Sequence, residues 1–203
     1  MPDTPDRILS GKLTAMDSDQ IRFIGHLSDQ QYSRMPGQYT IAAIISGPEP
    51  QRTRFETELL PQLKALPGPS ALARGVIAPD PVSVEGQLTI FPYLDREGVS
   101  RILNTTNIVV CRTGYSSIMD LLQVGTKAIL VPTPGQPEQE YLGERLQDHP
   151  QFLVQQQGQV NIREGFPALS ERPAVIPQHN QGMLLGQAIT ELQERIASGS
   201  TVA

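Results

Sequence analysis

The chain has 203 residues, a formal net charge of -5, 38% hydrophobic residues, 17 glycines and 18 prolines. That length suits one domain, or one and a half, with a lean core and many turns, and the missing basic surplus argues against a nucleic-acid backbone as partner. A single cysteine excludes an intrachain disulfide and points to a reducing compartment, while no apolar run approaches the ~20 residues that cross a bilayer.

Residues 1–38 read as an N-terminal linker. The first twenty are polar and aperiodic, too polar for a secretory signal; "IRFIGHLS" (21–28) suggests a short strand and 30–38 a loop. The main domain is expected over 39–197, followed by a fraying tail at 198–203. "YTIAAIIS" (39–46) is a continuous β-branched run that suits a strand buried on both faces. A helix is predicted over 50–66, with Phe55, Leu59, Leu60, Leu63 and Leu66 at helical spacing and Pro61 expected to kink or end it. Short strands are predicted at 70–77 and 86–94, an amphipathic helix at 96–106 and a buried strand at 107–112. A helix over 114–125 then ends at a glycine in the usual C-terminal position. A strand at 127–134 leads to a helix at 137–149, with Pro137 in its first turn. "FLVQQ" (152–156) reads as the last strand and 181–197 as a closing helix. Strands alternating with helices predict a Rossmann-like, doubly wound, mostly parallel α/β sheet. Ligands bind such sheets beyond the carboxyl ends of the strands, so the loops 46–52, 91–95, 112–120 and 132–140 carry the functional reading.

In "CRTGYSSIMDLL", Gly114 permits a sharp exit from the strand, and the helix that follows offers free N–H groups and a positive dipole to an anion. Ser116, Ser117 and Asp120 share a helix face, and a carboxylate can accept from two hydroxyls at once, as a ribose diol would require. The same residues also fit plain helix capping, and the local pattern leaves both readings open. In "SGPEPQRTRFE", Gly47 allows close backbone approach, and Arg52 and Arg54 stand near a helix start; neither GxGxxG nor GxxxxGK[ST] is present, so a solvated strand–helix turn competes with phosphate binding. In "PTPGQPEQE", Gln136, Gln139 and Glu140 could grip sugar hydroxyls, or the acids could simply complement the helix dipole. His26, His149 and His179 are scattered, Cys111 reads as a small buried residue at a strand end, and no metal, cofactor or catalytic base is assigned.

The order of these pieces over 107–146 resembles the C-terminal domain of family 28 glycosyltransferases, GT-B enzymes that include the peptidoglycan N-acetylglucosaminyltransferase and galactolipid synthases. The matching residues are Arg112, Gly114, Ser117, Asp120, Gly125, "AILVP" and Gln139; Asp120 stands where the family often has Glu, Glu140 where it has a second Gln, and "SGPEPQR" replaces a Gly-rich diphosphate loop. The resemblance implies the C-terminal half of a GT-B fold and a UDP-sugar donor. In that reading Asp120 holds the ribose, while Ser117 and the backbone around Gly114 face the diphosphate. Gln136, Gln139 and Glu140 face the sugar, Tyr93 and Leu94 flank the uracil, and Arg52 or Arg112 helps to stabilise the departing diphosphate. It further implies a missing acceptor-binding N-terminal domain or subunit, a cytoplasmic setting, and peripheral contact with the inner face of a membrane through that missing half. Two alternatives stay open: a nucleotide-sugar epimerase of GT-B fold, and a non-catalytic sugar-nucleotide-binding subunit.

Overall fold

The computed structural model describes residues 9, 11–14, 22, 24–25, 27–33, 35–77, 80–174 and 183–198. Its strands are β1 (Tyr39–Ile44), β2 (Ser70–Ala73), β3 (Ser83–Glu85), β4 (Leu88–Phe91), β5 (Thr106–Cys111), β6 (Lys127–Leu130) and β7 (Phe152–Val154). Its helices are α1 (Gln51–Lys64), α2 (Arg96–Thr105), α3 (Tyr115–Val124), α4 (Pro137–Leu146), α5 (Ile162–Ser170) and α6 (Met183–Ala197), and a short 3-10 turn covers Gly11–Thr14. The strands form one sheet in the order β3-β4-β2-β1-β5-β6-β7. All neighbouring pairs are parallel except β3 with β4, which is antiparallel at the edge.

The strands are apolar on both faces because each face is covered. Along β5, Ile108 and Val110 join the core formed with Phe55, Leu59 and Leu63 of α1 and Leu169 of α5. The alternate residues Val109 and Cys111 join Ile118, Leu121 and Leu122 of α3 and Leu142 and Leu146 of α4 on the opposite face. The period of two thus splits one hydrophobic run between two cores, and each fully buried Leu or Ile contributes about 1.5–3 kcal/mol. Helix α2 covers the neighbouring part of that second face, with Ile102 against Tyr39, Ala42 and Ala71.

Parallel pairing puts the carboxyl ends of β1, β2, β4, β5, β6 and β7 along one edge of the sheet. The chain order reverses between β1, which leads outward to β2 and β4, and β5, which leads outward to β6 and β7. The loops 45–50 and 112–114 flank that switch, where a doubly wound sheet leaves a crevice.

The expected doubly wound sheet is present, with several local differences. Pro61 lies inside α1, which runs on to Lys64. It falls in the last turn, and Leu59 and Leu63, both buried, hold the helix on the sheet across it. Strand β3 and helix α5 have no counterpart in the sequence reading. The described residues among 21–28, namely 22, 24, 25, 27 and 28, form no strand. Leu9, in the segment read as linker, is buried in the α3–α4 core, and its carbonyl accepts from Arg145 Nε at 3.1 Å. Most of residues 1–20, residues 175–182, His26, His179 and the tail from 199 lie outside the described residues.

Candidate functional site

Two helices at the sheet's carboxyl edge begin without a side-chain cap. Helix α2 is capped by Asp95, which accepts from the Gly98 N–H at 2.8 Å, and α5 by Asn161, which accepts from the Glu164 N–H at 3.1 Å. At α1 the Glu49 carboxylate accepts from the Thr53 N–H at 3.2 Å and from the Thr53 hydroxyl at 2.9 Å. No side chain caps α3 at Gly114 or α4 at Gln136. These two helices follow β5 and β6, adjacent strands on one side of the switch, and each offers a dipole of about half a positive charge to an anion.

Along α3, Ser116 is exposed while Ser117 and Asp120 are half-buried. No side-chain hydrogen bond caps α3, so neither serine is seen capping it. Burial holds the Asp120 carboxyl above its usual pKa; the hydrogen bond from Ser28 and the charge of Arg96 act in the opposite direction. Ser28 Oγ donates to Asp120 Oδ1 at 2.5 Å and itself accepts from the Gln30 N–H at 3.1 Å. The segment carrying Ser28 is tied to α2 by buried Asn104, which accepts from the Ser33 N–H at 2.7 Å and donates to the Gln31 carbonyl at 3.1 Å. Asp29 also pairs with Arg96. A cleft of about 540 Å³ lies between this segment and the start of α2, lined by Asp29, Gln30, Gln31, Ser33, Arg96 and Ser100 among others.

Arg112 sits where the motif suggests but faces inward. It is 1% exposed, stacks over the Phe55 ring at 3.9 Å, and donates to the carbonyls of Gln51 at 3.0 Å, Pro132 at 3.3 Å and Val131 at 3.4 Å, and to Gln157 Oε1 at 2.6 Å. It braces β5, β6, α1 and the loop after β7 against one another, and burial lowers its pKa to about 10, still protonated at neutral pH. Arg52 is likewise engaged: it donates to Glu49 at 2.8 Å, to Glu56 at 3.2 Å and to the Arg74 carbonyl at 3.2 Å. The Glu49 carboxylate thus already fills the anion position at the start of α1. Gly47 has φ +102, and a Cβ built there would meet nothing within 4 Å. Its left-handed backbone, rather than a crowded approach, explains the glycine.

Gln136, Gln139 and Glu140 form one network at the start of α4. Gln139 Nε2 donates to Gln136 Oε1 at 2.7 Å, Gln139 Oε1 accepts from the Thr133 N–H at 3.0 Å, and Glu140 accepts from the Gly135 N–H at 2.9 Å. Thr113, buried beside Arg112, donates to the Gln139 carbonyl at 2.9 Å and so links the starts of α3 and α4. Tyr93 is exposed at 53%, and Leu94 packs on the core patch of Tyr39 and Ile102. The structure therefore gathers Gly114, Ser116, Ser117, Asp120, Gln136, Gln139 and Glu140 on α3 and α4, places Tyr93 and Leu94 at the start of α2, and sets Arg52 and Arg112 in local contacts. Ser28, Glu49 and Thr113 were not singled out in the sequence; of these only Glu49 carries a local signal, its spacing to Thr53 at a helix start. Among the described residues, no group of three or more His, Cys, Asp or Glu side chains could hold a metal ion.

Sheet order, crevice and uncapped helix starts define a Rossmann-like α/β domain of the kind found as the C-terminal half of GT-B glycosyltransferases. Residues 67–164 match the model of the glycosyltransferase family 28 C-terminal domain. Its fold is similar to that of MurG from Acinetobacter baumannii (TM-score 0.58, 16% identity, 79% of this chain and 51% of that one). It is also similar to the kitacinnamycin glycotransferase (TM-score 0.52, 18% identity, 85% and 45%) and to the glycosyltransferase VinC in complex with dTDP (TM-score 0.55, 10% identity, 78% and 42%). The chain spans about half the length of these structures, or less. No curated protein matches it.

Proposed function

We propose that this chain is the donor-binding half of a glycosyltransferase that uses a UDP-sugar, UDP-N-acetylglucosamine or a UDP-hexose, to glycosylate a lipid or saccharide acceptor. The observation that carries this reading is the uncapped start of α3 with half-buried Asp120 on the same helix, at the β1/β5 switch. The Asp120 carboxylate accepts from the ribose hydroxyls, and the N–H groups at the starts of α3 and α4 hold the diphosphate. Gln136, Gln139 and Glu140 face the sugar, and Tyr93 and Leu94 border the base. Catalysis is electrostatic on this side of the cleft: fixed N–H dipoles stabilise charge that grows on the diphosphate as the glycosidic bond breaks. Arg112 contributes by holding the crevice floor in place, and Arg52 stays with Glu49. The acceptor and the base that activates it belong to the other half of the enzyme. The setting proposed is cytoplasmic, with any membrane contact made by that other half.

Calorimetric titration with UDP, ADP, GDP, CDP and a set of UDP-sugars tests this. UDP and UDP-sugars are expected to bind at least tenfold more tightly than the purine diphosphates. Equal binding of all four nucleotides, or none, contradicts it.

A further inference from the structure

Asp120 does not stand alone on α3. Its Oδ1 is held by a hydroxyl from a segment 92 residues away in sequence. With Asp120 ionised the direction of that bond is fixed: the carboxylate can only accept, and Ser28 Oγ gives its one proton while accepting from the Gln30 N–H. The segment is itself fixed: Asn104, 2% exposed at the end of α2, accepts from the Ser33 N–H and donates to the Gln31 carbonyl. A chain of contacts therefore runs from the buried end of α2, through residues 28–33, to one oxygen of Asp120.

An aspartate's terminal torsion is broad, so a carboxylate held only by its own backbone turns easily. An ionised carboxylate offers about four acceptor directions, and Ser28 takes one. The rest of Oδ1 and all of Oδ2 remain, which matches the two donors of a vicinal diol. We infer that Ser28 is a positioning residue of the nucleotide site: it sets the plane of the Asp120 carboxylate so that it meets the two ribose hydroxyls together, and so makes the segment before β1 part of donor recognition. The inference rests on the donor-site reading above and adds to it a residue outside the 67–164 match.

A positioning role differs from a purely structural one in what it does to hydroxyl discrimination. The experiment uses the full chain, UDP and 2′-deoxy-UDP, with binding measured by calorimetry and melting temperature recorded beside it. In the parent, 2′-deoxy-UDP should bind ten- to a hundredfold more weakly, the cost of leaving a desolvated acceptor unpaired. In Ser28→Ala, UDP should weaken about five- to tenfold and the 2′-deoxy penalty should shrink to about threefold or less, since a carboxylate free to turn no longer holds both hydroxyls. Ser28→Thr, which keeps the hydroxyl, should restore both values. Ser28→Cys, similar in size but a weak donor, should behave like the alanine variant and covers the case in which Ser28→Ala fails to fold. A full 2′-deoxy penalty in Ser28→Ala or Ser28→Cys, with UDP binding unchanged or tighter, overturns the inference and leaves Ser28 as a structural contact or an obstruction. A parent chain that binds UDP without any 2′-deoxy penalty, or does not bind it, overturns the donor-site reading and this inference together.

Discussion

At the scale of single residues, Asp120 can accept from both hydroxyls of a ribose at once, one on each oxygen, only as a carboxylate. Burial raises its pKa, so the acceptor is lost on acidification at a higher pH than an exposed aspartate would show. UDP-sugar affinity is therefore expected to fall as pH drops through that raised value, and to be flat over the same range in Asp120→Asn, with a UDP-sugar as ligand because its diphosphate does not titrate there. Asp120→Ala should weaken UDP ten- to a hundredfold, and the 2′-deoxy penalty should largely vanish in that variant because both changes remove one interaction. An undiminished penalty in Asp120→Ala would mean that the carboxylate is a structural feature of α3. Cys111 supplies a different kind of check. Burial pushes its thiol up to about 12, with the Asp120 charge adding to the rise. It should resist alkylation in the native chain at neutral pH and react only as the chain unfolds, and prompt labelling of native protein contradicts the packing of β5 against α3. That Gly114, Ser117 and Asp120 fall within the first two turns of one helix after a buried strand was legible in the sequence from helical spacing. The Ser28 contact with Asp120 was not, because it joins segments that no local pattern relates. Arg112 was legible as important but not in its orientation: a motif places a residue at a strand end, and the ring of Phe55 with four acceptors around it decides which way the guanidinium turns.

At the scale of elements, the helix starts divide the work. Glu49 occupies the start of α1 and holds Arg52, which is why the diphosphate is proposed to lie at α3 and α4 instead. Arg52→Ala and Glu49→Gln should each leave UDP affinity within about threefold of the parent. A loss of tenfold or more in Arg52→Ala returns the phosphate site to α1. The closeness of α4 to the sheet can be tested through Gly143. A Cβ there would lie 2.7 Å from Pro132 Cγ and 3.4 Å from Val154 Cγ1, and a proline ring at a strand exit cannot swing aside. Gly143→Ala should destabilise the fold by about 1–3 kcal/mol, read as a lower denaturation midpoint with unchanged slope. No change in midpoint would show that α4 sits further out. The parallel strands and their helices were readable because continuous apolar runs and amphipathic periods are strong signals. Strand β3 was not, because its three residues are all exposed and no alternation marks them. Helix α5 was hidden by Pro167 and Gly165 within nine residues; its docking comes from tertiary contacts, with Gln62 accepting from the Ile162 N–H at 2.9 Å and Lys127 donating to the Leu169 and Ser170 carbonyls at 3.0 Å.

At the scale of the whole molecule, the proposed function makes the chain one wall of a cleft. The chain spans about half the length of these similar structures, and the proposed reaction needs an acceptor on the facing wall. The isolated chain is therefore expected to release no UDP from a UDP-sugar above background, whatever lipid or saccharide acceptor is supplied. Steady turnover by the purified chain contradicts the half-enzyme reading. Hydrogen exchange with and without saturating UDP reads out where the proposed donor site lies. Slowed exchange is expected at the amides of 114–118 and 135–140, at the starts of α3 and α4, and at 28–33, with little change at 74–77 or 155–161. Protection confined to those last two loops, or spread evenly over the chain, would contradict that expectation.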